Sequence, residues 1–200
     1  MKATFLTLMV TALIVTFLTV QTAIAQNIKP RELPGIKSEK IGEKETFVII
    51  QQGDRFKIFN KLNTIMIQES RFAEMLGYGV SNPVKFSDKP KLDSLVHQKI
   101  MPFYKDFKSV RFSDDICSFD IFLYSGLDGK VAEIVFSIDI DSKLPLSVLE
   151  KLEKEILSSN FKLDFNKESA IIRGSSWVYF WNVYSVEGMK KRLIENEKRK

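Results

Sequence analysis

The stretch Phe119 to Asp141, "FDIFLYSGLDGKVAEIVFSIDID", constrains the fold more than any other part of the chain. Asp-Gly between two runs of alternating apolar residues is a strong short-range hairpin signal. With Asp128 and Gly129 as the two central turn residues, Leu127 pairs with Lys130 and Gly126 with Val131. The same register sets Leu123 opposite Ile134, Ile121 opposite Phe136 and Phe119 opposite Ile138, three apolar pairs on one face. The other face is mixed, with Tyr124 opposite Glu133, Phe122 opposite Val135 and Asp120 opposite Ser137. A slip of one residue would pair the apolar face with the mixed one, so pattern and turn chemistry select one register. As a ligand loop "GLDGK" fails. A phosphate cradle opens onto a helix, whereas a strand follows Lys130. A calcium loop needs several oxygen ligands ending in a bidentate acid, and Asp139 and Asp141 lack that partner set.

Around the hairpin the chain reads as an α+β domain. A hairpin over 117–140 and strands over about 161–165 and 176–185 form an antiparallel sheet, with helices over about 92–107 and 145–158 packed on one face. The first helix rests on Leu92, Leu95, Val96, Ile100, Phe103 and Phe107, and Pro102 should kink or divide it. The second carries Val148, Leu149, Leu152 and Ile156 behind Pro145, with Glu150–Lys154 and Lys151–Glu155 at i,i+4 on its outer side. "TFVIIQQ", Thr46 to Gln52, is a strand stopped by Gly53. Beyond it Asp54 caps a predicted helix carrying Phe56, Phe59 and Leu62, and a strand reading of Phe56 and Ile58 competes with that helix. "QESRFAEML", Gln68 to Leu76, favours helix, and the glycines and prolines of Gly77 to Lys91 mark a long loop.

The N-terminus points to export. Lys2, an apolar run from Phe5 to Val20 and the small residues Ala23 and Ala25 compose a signal peptide over residues 1–25, cleaved before Gln26. Residues 26–45 read as a flexible leader, 46–186 as a single domain and 187–200 as a basic C-terminal tail. The expected location is periplasmic or secreted, with no stable membrane span after cleavage. The net charge of +5 falls by one when Lys2 is removed, a mild excess that excludes a nucleic-acid binder's footprint. With one cysteine, Cys117, the fold has no internal disulfide and must rest on its core. Next to the alternating apolar run, that thiol reads as buried and inert. His97, the sole histidine, has no second ligand type in register, so no metal or cofactor is expected.

"WVYFWNVYSV", Trp177 to Val186, is the most aromatic segment. Trp177, Tyr179, Trp181 and Val183 share one face of a strand, and Val178, Phe180, Asn182 and Tyr184 the other. Such a strand is either central and covered on both faces or presents one face to a partner. Trp177, Tyr179, Trp181 and Tyr184 are therefore the candidate binding residues.

The order strand, "DGK" turn, strand, helix, strand, aromatic strand from about Phe119 to Val186 resembles the small C-terminal domain of TonB and its periplasmic relatives. The likeness covers about a third of the chain, and it departs from TonB in lacking a long Pro/Lys spanning region and a retained anchor. The whole chain, with "IVFSIDIDSKLPLSVLEKLEKEIL" as its most distinctive segment, resembles small exported proteins of uncharacterised function from gut Bacteroidetes. The TonB resemblance implies recognition by strand addition, an extended peptide pairing with an open sheet edge. The function expected is an exported, non-enzymatic binding or interaction module for a protein, peptide or glycan of the cell envelope. Two alternatives stand beside it: an envelope enzyme acting on glycan through acids such as Asp114 and Asp115, and a structural subunit that dimerises through the aromatic strand.

Overall fold

The computed structural model describes residues 36–64, 84–109, 117–168 and 177–198, all within one compact unit, Leu33–Lys200. The expected signal peptide, the helix over Gln68–Leu76, and Asp114 and Asp115 lie outside the described residues. The architecture is α+β. Strands β1 (Ile36–Ile41), β2 (Thr46–Gln52), β3 (Arg55–Asn60), β5 (Ser118–Gly126), β6 (Val131–Asp139) and β8 (Trp177–Ser185) form a six-stranded sheet in the order β1-β2-β3-β6-β5-β8. Each neighbouring pair in it is antiparallel, and the sheet does not close into a barrel. β4 (Val84–Lys85) and β7 (Asp164–Phe165) pair separately. The helices are α1 (Lys89–Lys99), α2 (Met101–Tyr104), α3 (Leu146–Ser158) and α4 (Val186–Lys198).

The register of the β5–β6 hairpin follows from its alternation: Phe119 faces Ile138, Ile121 faces Phe136 and Leu123 faces Ile134. Its turn differs from the expected one. The Gly129 amide donates to the Gly126 carbonyl at 3.1 Å, so Leu127 and Asp128 are the central residues and Gly129 follows at φ 80°. Asp128 accepts from the Lys130 amide at 3.1 Å, and a β-bulge at Ala132 absorbs the extra residue, setting Ser125 opposite Val131. The reason lies in residues 161–163. The Leu163 amide donates to Gly129 at 2.8 Å and the Val131 amide to Phe161 at 3.0 Å. A Cβ on Gly129 would stand 2.7 Å from the Leu163 carbonyl oxygen. Phe161 and Leu163 are buried as their alternation requires, but the segment meets the hairpin only at its tip, through Lys130 and Lys162. Its end, β7, pairs with β4 instead of joining the main sheet.

Apolar side chains of the helices meet one face of the sheet. Phe119, Ile121, Leu123, Ile134, Phe136 and Ile138 join Leu92, Val96, Ile100, Met101, Tyr104, Leu149, Leu152 and Ile156 in a single core cluster. At about 1.5–3 kcal/mol per buried large apolar side chain, this face dominates the stability. The expected helix over 92–107 is divided at Ile100, two residues before Pro102, because proline cannot donate its backbone N–H and restricts the residue before it. Cys117 is fully buried beside this core.

Four further expectations are corrected. Residues 55–60 form a strand, not a helix: Gly53, at φ 59°, starts a two-residue turn that sets Gln52 opposite Arg55, and β3 is then paired on both sides, by β2 and β6. The second half of the expected leader is an edge strand, β1, and the turn after it is tied down by Glu150. Glu150, expected on the outer side of its helix, is 1% exposed. It accepts from the amides of Glu43 at 2.5 Å and Lys44 at 3.1 Å, and from Lys154 Nζ at 2.6 Å. Lastly, the basic tail is helical through Lys198 in a helix that begins at Val186, and its Met189 is buried in the main core. Among the described residues no helix is long and apolar enough to cross a membrane.

Candidate functional site

The candidate site is built on β8, whose side chains alternate between two environments. Val178, Phe180 and Tyr184 face the helices and pack in or against the main core. Trp177, Tyr179, Trp181 and Val183 face the other side, opposite Gly126, Tyr124, Phe122 and Asp120 of β5. β8 is not a central strand. It ends the sheet, and among the described residues no strand pairs with its second edge along Trp181–Ser185.

On the outer face five rings form a ladder. Trp181 stacks on Phe122 with ring centres 5.8 Å apart and planes 3° from parallel. Tyr179 sits 5.7 Å from Tyr124, and Trp177 lies 5.5 Å from Tyr124 and 6.2 Å from Tyr179. Burial is graded along it: Trp177 is 5% exposed, Tyr179 is half-buried and Trp181 is 43% exposed, with Val183 at 47% beyond it. Burial, then the neighbouring Tyr179 and Glu133, push the Tyr124 phenol well above its ordinary pKa, so it stays neutral at physiological pH. Lys57 extends the face from β3, its Nζ 6.0 Å from the Phe122 ring centre, and burial lowers its pKa.

Below the ladder the outer face becomes polar. Arg55 of β3 donates from Nε to Ser137 Oγ at 2.8 Å and from Nη1 to Ser118 Oγ at 2.9 Å. It also pairs with Asp120 at 3.2 Å and Asp139 at 3.3 Å. Ser118 completes the cluster, donating from Oγ to Asp120 at 2.6 Å and from its amide to Asp139 at 3.0 Å. Burial raises the Asp139 pKa, opposed by Arg55 and the Ser118 amide. Arg55 and Ser118 engage both carboxylates, an arrangement that ties β3, β6 and β5 together.

The structure thus brings Trp177, Tyr179 and Trp181 together and places Tyr184 elsewhere, on the opposite face, its hydroxyl donating to Asp93 Oδ1 of α1 at 2.9 Å. Phe122 and Tyr124, in the hairpin's mixed face, complete the ladder. Their signal was legible in that alternation, but not their alignment with β8, which depends on which strand lies beside β5.

The sequence matches no protein-family model and no curated protein. Among solved structures, the fold is similar to a DUF5043 family protein from Bacteroides uniformis. That likeness has a TM-score of 0.49 and 13% identity, over 74% of this chain and 90% of that one. No assignment of activity rests on it. Among the described residues no group of three His, Cys, Asp or Glu side chains is placed to hold a metal ion.

Proposed function

We propose that this chain is an exported, non-enzymatic interaction module that takes an extended peptide segment of an envelope protein along the Trp181–Ser185 half of β8. The observation that carries this reading is the pairing of position with exposure. Trp181 and Val183 are alternate residues of an edge strand, and each is nearly half exposed. A hydrophobic edge is a template for a further strand, since backbone groups supply affinity and alternate side chains supply selectivity. The Phe122 stack holds the Trp181 ring in place before any partner arrives, which lowers the entropy lost on binding. Strand addition is also what the resemblance of Phe119–Val186 to the TonB C-terminal domain implies. Export rests on the signal-peptide pattern of residues 1–25.

The chain has two tryptophans, so Trp177→Phe leaves Trp181 as the only reporter. Titrating that variant with synthetic peptides from envelope proteins should produce a saturable blue shift of its emission, weakened at least tenfold by Val183→Glu. A response to glycans alone would replace the peptide with a sugar partner. A shift that tracks protein concentration, with a doubled mass by light scattering, would make the partner a second copy. Emission unchanged in all three cases would remove the reading.

A further inference from the structure

A second group of charged side chains lies where α1, β8 and α4 meet, around a cavity of about 150 Å³. Lys89, Asp93 and His97 stand at intervals of four on α1, one stripe of the helix. Asn182 and Tyr184 come from β8 and Arg192 from α4. Asp93 is saturated: Lys89 Nζ reaches both its oxygens, at 2.9 and 2.8 Å, and the Tyr184 hydroxyl donates to Oδ1 at 2.9 Å. Arg192 Nη1 lies 2.5 Å from His97 Nε2. Because a guanidinium only donates, Nε2 is the acceptor and the ring carries its proton on Nδ1. Burial, Arg192 and Lys89 lower the His97 pKa against the opposing pull of Asp93. The imidazole is therefore neutral at physiological pH, and the lining carries two fixed cations against one anion.

Asn182 supplies the second observation. Its Nδ2 is buried and, among the buried side-chain polar atoms of the described residues, it makes no hydrogen bond of full geometry; it approaches only the Tyr184 hydroxyl, which itself donates to Asp93. An amide donor left this way costs about 1–3 kcal/mol unless something accepts from it. The one carboxylate in the cavity is already committed to Lys89 and Tyr184, so the lining has more donors than acceptors.

We propose that this cavity binds a small oxyanion group, a phosphate or a carboxylate, between Arg192, Lys89 and Asn182. Charge and hydrogen bonding both favour it: the anion cancels the excess positive charge, and its oxygens accept from the Asn182 amide and the guanidinium fork. Size limits it to the anionic group itself, since the volume is below the roughly 300 Å³ at which pockets for drug-sized ligands begin.

His97 is the chain's sole histidine and gives one imidazole signal, in direct contact with Arg192. Its NMR resonance is followed in the full folded chain as inorganic phosphate or acetate is added at constant ionic strength, with chloride as the balancing salt. A saturable shift with either anion, accompanied by a rise in the His97 pKa, is the expected result. A shift with phosphate alone identifies the phosphate source, and one with acetate alone a carboxylate terminus or side chain. Arg192→Gln should weaken the response at least tenfold. Asn182→Asp, which puts a carboxylate in the anion's place, should abolish it while leaving the rest of the spectrum folded. No saturable shift with either anion, or an equal shift in the Arg192→Gln protein, would overturn the proposal.

Discussion

The two charged clusters of this molecule share a sheet but obey opposite rules. Around Arg55, two buried acids surround one cation, and serines and backbone from adjacent strands complete every contact. Around Arg192, two cations surround one acid, the arginine is exposed, and a buried amide donor makes no hydrogen bond of full geometry. The first cluster is closed, so its charges hold strands in register. The second is open, and its surplus of donors suits it to a ligand. What separates them is the count of donors against acceptors once burial is taken into account.

The largest effect is expected at the closed cluster. Arg55→Met leaves Asp120 and Asp139 buried without their cation and should cost about 3–5 kcal/mol in urea denaturation at neutral pH. Burial already raises the Asp139 pKa against the pull of Arg55, and without Arg55 it would rise further, so the deficit should narrow as the pH falls and Asp139 takes up a proton. A cost below about 1 kcal/mol would break the distinction between the clusters.

A smaller loss, about 1.5–3 kcal/mol, is expected for Glu150→Gln, which removes a saturated acceptor of the same kind elsewhere. Burial alone would raise the Glu150 pKa, but hydrogen bonds from Lys154, Lys44, Glu43 and Glu45 outweigh it and bring it from 4.5 to about 2. A depressed carboxylate stabilises the fold above its unfolded pKa. That contribution is therefore lost as the pH falls from about 4.5 towards 2, a limb the variant's stability curve should lack. An acid limb identical in both proteins would show that the clamp on the Gly42–Glu45 turn does not depend on charge.

The smallest effect belongs to the open cluster. Arg192→Gln should shift stability by no more than about 1 kcal/mol, because its charge is exposed and screened. A loss comparable to that of Arg55→Met would make Arg192 a structural ion and collapse the contrast.

Much of the fold was legible because strand alternation and helical spacing are local. The run from Phe119 to Leu123 sets its own register against Ile134 to Ile138, and the stripe on Leu149, Leu152 and Ile156 marks a buried face. The hairpin turn was misplaced by one residue, since the bulge at Ala132 answers to Leu163 and Phe161, about thirty positions away in the chain. Glu150 was misread for the same kind of reason: an i,i+4 partner suggests a solvated face, and only the turn packed on it reveals the burial. Lys89, Asp93 and His97 share a visible stripe on their helix, but nothing local joins them to Arg192 or Asn182.

By itself, then, the sequence determined the α+β class, the pairing of the β5–β6 strands and the two faces of the aromatic strand, all consequences of side-chain periodicity. The tertiary structure alone decided that this strand lies at the sheet's edge, that Trp177 is buried while Trp181 is not, and that one acid is enclosed while one donor is left over. Those outcomes depend on which distant segments come to rest against each residue, and burial and charge balance are properties of that packing, not of the chain's local pattern.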